Sequence, residues 1–395
     1  SANEKPINYT NFYHYYFEFI FSTDLSVENN SIYYICSVCK KQHNAPPLPV
    51  WLCQCGKPLT VHYDWENQPK PIDVIDDDLS LWRYKSVLPQ TNENISLGEG
   101  HTPLIPIGNN VYVKDETVNP TGSFKDRGMA MAVTMAKAQG VKTICLPSAG
   151  NAGISAAAYC QTAGIECNVY LPETIPDPFK KETDNYNANL TLKGQTISDA
   201  AKCMQENKEK DWFDISTLKE PFRVEGKKTL GYEIAEQLEW KLPDVVIYET
   251  GGGTGLIGMW KAFQEMQGLG WVNGPLPRMV AAQSDGCAPI VKAFQAMEKD
   301  TEFWKDSHTI ALGLNVPGPL GGKWILDVLS QSNGIAISAV ESDLINLTKD
   351  MNEKTGINAS AEAGVVWSAY HDLMNMGWID LNETVVLFAT GIERC

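Results

Sequence analysis

From about residue 110 onward, short apolar runs alternate with stretches carrying helical spacing. Residues 111–113, 143–146, 166–171, 245–248, 279–282 and 385–388 read as strands, and residues 129–139, 153–162 and 256–267 as helices, the first two closed by Gly140 and Gly164. Apart from Thr143, Glu166 and Asn168 these runs are apolar, which predicts strands buried on both faces. Strands alternating with helices predict parallel sheets with helices on either side, an α/β class. Ligands of such folds sit at the carboxyl ends of the strands, so the loops that follow them are the places to look for chemistry.

The chain ahead of residue 110 is different. Residues 9–21 are crowded with aromatics and read as an N-terminal arm over 1–30 packed on the body. Residues 31–65 are turn-rich and hold four cysteines, and a Pro/Asp-rich linker follows from Pro69 to Asp78. With 395 residues the chain is long for one core. The expected division is a large α/β domain from 66–129 and 221–395, with a small α/β domain over 130–220 inserted in it.

Charge narrows the partners. The 32 basic and 48 acidic side chains give a net charge of -16, which repels nucleic acid and anionic membrane. A small-molecule substrate is expected instead, and any anion site must be built locally from backbone amides and a few placed cations. No apolar run is long enough to span a bilayer, and residues 1–11 lack the basic-then-apolar order of a secretion signal. Of ten cysteines, four cluster before residue 56 and the others stand singly, a distribution that fits a reducing cytoplasm.

Five segments carry candidate chemistry. Asn119-Pro120-Thr121-Gly122-Ser123-Phe124-Lys125-Asp126-Arg127-Gly128 makes a tight turn that sets Lys125 near a helix start. A lysine buried there loses proton affinity and becomes a nucleophilic amine; a solvated lysine is the plain alternative. Ser148-Ala149-Gly150-Asn151-Ala152-Gly153 lies between a strand and a helix, where small residues let amides approach a carboxylate or phosphate; a simple capped turn is the alternative. Gly251-Gly252-Gly253-Thr254-Gly255 opens a helix as an anion nest. It lacks the lysine of a Walker loop and the spacing of a dinucleotide fingerprint, so a cofactor monophosphate fits better. Cys36, Cys39, Cys53 and Cys55 form two close pairs resembling a zinc ribbon, a closed structural site, with free thiols as the alternative. Thr390 follows a strand, where its hydroxyl can face a cofactor ring.

In this order the segments resemble the threonine synthase family of fold-type II pyridoxal-phosphate enzymes. The likeness runs from about Cys36 to Gly391 and includes Gly98-Glu99-Gly100-His101-Thr102-Pro103-Leu104 and Val224-Glu225-Gly226-Lys227-Lys228-Thr229. It implies two three-layer αβα lobes with pyridoxal 5'-phosphate between them, a Cys-rich ribbon ahead of them that holds structural zinc, and a homodimer as one assembly to test. By the same resemblance, Lys125 carries the cofactor covalently and acts as the catalytic base. Asn151 faces the cofactor's 3'-oxygen, and Gly251, Gly252, Gly253, Thr254 and Gly255 bind its phosphate. Thr390 meets the pyridine nitrogen, and a hydroxyl there would leave that nitrogen largely unprotonated. Ser148 and Gly150 are candidates for the substrate carboxylate, Arg223 and Lys227 for a substrate phosphate; a solvated basic face is the alternative for these last two.

The implied reaction converts O-phosphohomoserine and water to threonine and phosphate, with a serine/threonine dehydratase or a phosphoserine-type synthase as the alternative. The chain departs from the family at three places. Residues 216–222 replace a frequent Asn-Pro-Tyr pattern, Ala149 replaces a hydroxyl residue or glycine, and Ile392-Glu393-Arg394-Cys395 replaces Ser-Gly-Leu-Lys.

Overall fold

The computed structural model describes residues 31–44, 52–65, 68–108 and 110–394; the expected arm over 1–30 lies outside them. In chain order these residues form β1 (Ser31–Cys36), β2 (Gln42–Asn44), β3 (Leu59–Asp64), β4 (Leu104–Gly108), β5 (Val111–Asp115), α1 (Lys125–Ala138), β6 (Thr143–Pro147), α2 (Asn151–Ala163), β7 (Glu166–Leu171), α3 (Asp177–Asn185), β8 (Asn189–Leu192), α4 (Ile197–Asn207), β9 (Phe213–Asp214), α5 (Phe222–Gln237), β10 (Val245–Glu249), α6 (Thr254–Gly268), β11 (Arg278–Ser284), α7 (Pro289–Gln295), α8 (Gly322–Gln331), β12 (Ile335–Ala339), α9 (Leu344–Thr355), α10 (Ala361–Asn375) and β13 (Val385–Ala389).

Every run read as a strand from its apolar residues is a strand, and β10 and β13 are buried at each position, as expected of strands covered on both faces. They build two larger sheets. One has the order β12-β11-β10-β13-β5-β4 and is parallel except for β4; the other, β8-β7-β6-β9, is wholly parallel. The antiparallel edge was not expected. β4 contains Pro106 and is buried at none of its positions, so it carries no core signal, and an edge is where a proline can sit. The cysteine-bearing segment forms a third, antiparallel sheet, β2-β1-β3.

Two packings fix the site. Helices α1 and α5 touch backbone to backbone through glycines. A Cβ on Gly226 would lie 1.9 Å from the Arg127 carbonyl oxygen, and one on Gly128 would lie 3.1 Å from the Arg223 carbonyl oxygen. Beneath this crossing lie two charge-balanced networks, the first fully buried and the second nearly so. Arg127 pairs with Glu116 at 2.7 Å and Glu233 at 2.8 Å, and Lys114 also pairs with Glu233. Thr102 and the amide of His101 join them, tying the Gly98–Leu104 segment to the α1 motif. Lys228 and Lys261 pair with Glu225 and Glu265, and Tyr63 of β3 donates to Glu225, fastening the cysteine sheet to α5. Among the described residues no helix is long and apolar enough to cross a membrane.

Candidate active site

A cavity of about 1060 Å³ opens where the carboxyl ends of the two parallel sheets face one another. Its wall holds Lys125 from the start of α1, Ser148, Gly150 and Asn151 after β6, the glycines after β10, and Thr390 after β13. Arg223 and Lys227 line it from α5, and both are buried, which overturns the alternative of a solvated basic face. All the residues expected to bind cofactor or substrate therefore meet in one place.

Local hydrogen bonds shape the loop that presents Lys125. Asp126 accepts from the Thr121 amide at 2.7 Å, the Thr121 hydroxyl at 2.5 Å and Ser155 at 2.6 Å, while Asn119 accepts from the Gly100 amide at 3.0 Å. The Lys125 ammonium lies 4.0 Å from the Phe124 ring centre. Burial, with Arg223 adding to it, pulls its pKa from the usual lysine range to about 8, against the opposing pull of Glu362 and Glu249.

The glycines after β10 make a close-fitting cradle at the N-terminus of α6. Gly253 takes the left-handed conformation at φ 78°, and a Cβ there would sit 2.3 Å from Ile325 Cδ1; a Cβ on Gly255 would sit 2.1 Å from the Tyr248 hydroxyl. Such a turn with a helix dipole behind it suits a phosphate. Lys227 donates to Thr254 Oγ1 at 2.6 Å, so its amine sits at this cradle. Burial, then Arg223 and Lys125, hold its pKa well below the usual range. Arg223 donates from Nη1 to the Ile215 carbonyl at 2.8 Å, while its buried Nε has no partner among the described residues. Burial raises the nearby Glu220 carboxyl to about 7.

After β6, Gly150 adopts φ 128°, and a Cβ there would meet the Phe179 ring at 2.6 Å. The Ser148 hydroxyl accepts from the amides of Gly150 and Gly153 at 3.0 and 2.9 Å, so it folds the loop and caps α2. Asn151 brings in a residue that sequence reasoning missed. Arg394 donates from Nη1 to Asn151 Oδ1 at 2.7 Å and from Nε to Glu182 at 3.1 Å, and its Nη2 reaches the Thr121 carbonyl. With Oδ1 occupied, Asn151 has its amide nitrogen left as a donor. No local pattern announces Arg394, whose partners are distant in sequence. Glu249 was also missed; it ends β10 inside an apolar run, yet its carboxyl is in the cavity wall beside Thr390.

A buried amine of lowered pKa, an anion cradle and a donor amide are a donor set that fits pyridoxal phosphate. The four cysteines form a separate cluster. Their sulfurs lie within 4.8 Å of one another, with Cys36 to Cys55 at 3.5 Å, Cys39 to Cys53 at 3.6 Å and Cys39 to Cys55 at 3.7 Å. Those separations are too long for disulfides and close to the edge of about 3.8 Å that a tetrahedron with zinc–sulfur bonds of about 2.3 Å requires. Amides of Val38 and Cys39 point at Cys36 Sγ.

Residues 95–391 match the family model described as pyridoxal-phosphate dependent enzyme. The chain is 33% identical over 371 residues to a threonine synthase of Methanocaldococcus jannaschii, covering 90% of this chain and 91% of that one. A threonine synthase of Halalkalibacterium halodurans is 32% identical over 332 residues, covering 79% and 90%. Among solved structures, a processed threonine deaminase isoform 2 from Solanum lycopersicum superposes with a TM-score of 0.64 at 20% identity, over 74% of this chain and 84% of that one. A maize serine racemase gives 0.63 at 18% identity, over 74% and 88%.

Proposed function

The chain belongs to the pyridoxal-phosphate dependent enzymes, and within them to the threonine synthase family, and from that premise we propose that it converts O-phosphohomoserine and water to threonine and phosphate. The observation that carries this reading is Lys125: a lysine of lowered pKa in the wall of a cavity that also holds an anion cradle and the buried guanidinium of Arg223. Bound to an amine, pyridoxal phosphate withdraws electrons from the neighbouring carbons and makes their protons removable.

The protein's own groups do the rest. Gly251, Gly252, Gly253, Thr254 and Gly255, with Lys227 behind Thr254, would hold the cofactor phosphate, and Asn151 would donate to the 3'-oxygen. Thr390 would meet the ring nitrogen. Arg223, whose Nε has no partner among the described residues, would take the substrate phosphate. Backbone amides at the start of α2, shaped by Ser148 and Gly150, would take the carboxylate. Lys125 would remove the Cα and Cβ protons in turn and return protons to Cγ and Cα as phosphate departs from Cγ and water adds at Cβ. Phosphate leaves with the electrons of its C–O bond and takes up the proton that water gives up as its hydroxyl joins Cβ, and the protons lost at Cα and Cβ balance those gained at Cγ and Cα.

The four-stranded sheet spans residues 143–214, which supports assigning 130–220 to the smaller lobe. The thiol separations support a structural zinc, and nine cysteines free of disulfides among the described residues support a reducing, cytoplasmic setting. Two assays test the reaction: phosphate released from O-phosphohomoserine with matching threonine, and ammonia released from serine or threonine. The expected result is stoichiometric phosphate and threonine, abolished in Lys125→Ala together with the borohydride-sensitive visible absorption. Ammonia release without phosphate release would instead identify a dehydratase.

A further inference from the structure

Past the end of β13 the chain runs beside the turn that presents Lys125. The Phe124 amide donates to the Thr390 carbonyl at 2.9 Å, the Ile392 amide donates to the Gly122 carbonyl at 2.8 Å, and Ser123 bridges to Gly391. This run carries the Arg394 side chain to the first turn of α2, where only 5% of it is exposed. Nε lies 3.1 Å from both carboxyl oxygens of Glu182 on α3, Nη2 donates to the Thr121 carbonyl, and Nη1 donates to Asn151 Oδ1 at 2.7 Å. The guanidinium carbon stands 5.5 Å from the Phe179 ring centre. Asn151 and Glu182 belong to helices that pack with the four-stranded sheet, whereas Thr121 and Arg394 follow β5 and β13 of the six-stranded one. One side chain therefore spans both.

We propose that Arg394 is a positioning residue for the coenzyme: it fixes which end of the Asn151 carboxamide faces the cavity, and so holds the coenzyme's 3'-oxygen as an oxyanion. This rests on the pyridoxal-phosphate site assigned above. A carboxamide has an acceptor end and a donor end of nearly equal size, and a half-turn exchanges them. A guanidinium offers donors and no acceptor, so the atom it meets must be the amide oxygen. The nitrogen is then the other end. It has no partner among the described residues and stands beside Gly391, 3.0 Å from where a Cβ on that glycine would be. Asn151 itself lines the cavity.

The orientation decides where one proton sits. An amide N–H donates to an oxyanion, and the proton then stays on the nitrogen that joins Lys125 to the coenzyme. An amide carbonyl in the same place accepts from a hydroxyl, so the proton moves from that nitrogen to the 3'-oxygen. The two forms hold the same atoms and differ only in that transfer. The first withdraws electrons more strongly and absorbs in the visible; the second absorbs in the near ultraviolet. Reversing the amide would set its N–H groups against those of Arg394 and leave a buried donor without its acceptor. Glu182, Thr121 and Phe179 keep the guanidinium from turning away to relieve that conflict. Among the described residues nothing else bonds to the Asn151 side chain, so the selection falls to Arg394.

The test loads the full protein, Arg394→Leu, Asn151→Ala and the double variant with pyridoxal phosphate, removes the excess and compares their absorption spectra. In the unaltered protein the visible band is expected to dominate. Arg394→Leu keeps much of the volume but has no donor, and it is expected to raise the near-ultraviolet share severalfold at the expense of the visible band. Adding Arg394→Leu to Asn151→Ala is expected to leave that variant's spectrum unchanged, because the arginine acts through the asparagine. A role in folding alone would lower the unfolding midpoint and leave the band ratio where it was. Should Arg394→Leu fail to fold, Arg394→Lys carries the same expected shift to a smaller degree, since one ammonium cannot hold Asn151, Glu182 and Thr121 together. A near-ultraviolet band dominating in the unaltered protein, a ratio unmoved in the Arg394 variants, or a shift of equal size with and without Asn151 overturns the proposal while leaving the coenzyme site intact. Failure of the unaltered protein to take up the coenzyme overturns the site reading and this inference with it.

Discussion

An ordinary lysine near pKa 10.4 is almost wholly protonated at neutral pH and cannot attack an aldehyde. Lys125 escapes that limit through its surroundings, because burial and then Arg223 favour the neutral amine more than Glu362 and Glu249 favour the charged one, leaving it at about 8. The sign follows directly. Below pH 8 the reactive fraction rises about tenfold per pH unit, and above it the fraction saturates. The rate at which coenzyme-free protein captures pyridoxal phosphate, read by stopped-flow absorbance, is therefore expected to climb steeply to about pH 8 and then flatten. A rate that keeps rising unbroken toward pH 10 would show that Lys125 is not depressed. The same local view explains what the sequence hid about single residues. Lys125, Asn151 and Thr390 stand in recognisable strings beside turns and strand ends. Glu249 and Arg394 act through partners that only the fold brings near, and nothing in their own neighbourhoods marks them.

Among the elements, α1 and α5 decide whether the site exists. Lys125 lies on one and Arg223 and Lys227 on the other, and they share a cavity because Gly128 and Gly226 let the two backbones touch. Gly226→Ala places a Cβ 1.9 Å from the Arg127 carbonyl oxygen, which is backbone and cannot swing aside. The helices must part, at a cost of about 1–3 kcal/mol for overpacking. The expected result is a lower unfolding midpoint and, because Lys125 on α1 and Arg223 on α5 are drawn apart, a KM for the phosphorylated substrate that rises together with a fall in kcat. An unchanged KM with a lowered midpoint would show that the crossing serves stability alone. The glycine cradle of α6 and strands β6, β10 and β13 were readable because their patterns are local and apolar. Helix α5 was not, since Arg223, Glu225, Lys227, Lys228 and Glu233 are all buried in it, so polarity along the sequence gives no sign of which face turns inward. The edge strand β4 was missed for the opposite reason, having no buried position to mark it.

At the scale of the whole molecule, a body of charge -16 takes an anionic substrate by gathering backbone amides and buried basic side chains inside one cavity, and that cavity is coupled to the cysteine sheet through α5. The coupling consists of Tyr63 donating to Glu225 and Lys228 donating to Tyr63 at 3.1 Å, all buried. The half-exposed pair Lys57–Asp300 adds little by comparison. None of the four cysteines lines the cavity, so a metal there would act on stability rather than on the reaction. One zinc per chain is accordingly expected by elemental analysis, lost in Cys53→Ser. Chelation should introduce an unfolding transition below the main one while the visible absorption of the bound coenzyme persists. If the protein as purified carries no metal, and Cys53→Ser unfolds with an unaltered midpoint, the four thiols do no structural work, and the sheet is held to α5 by the Tyr63 and Lys228 contacts and by packing such as Tyr34 against Phe222.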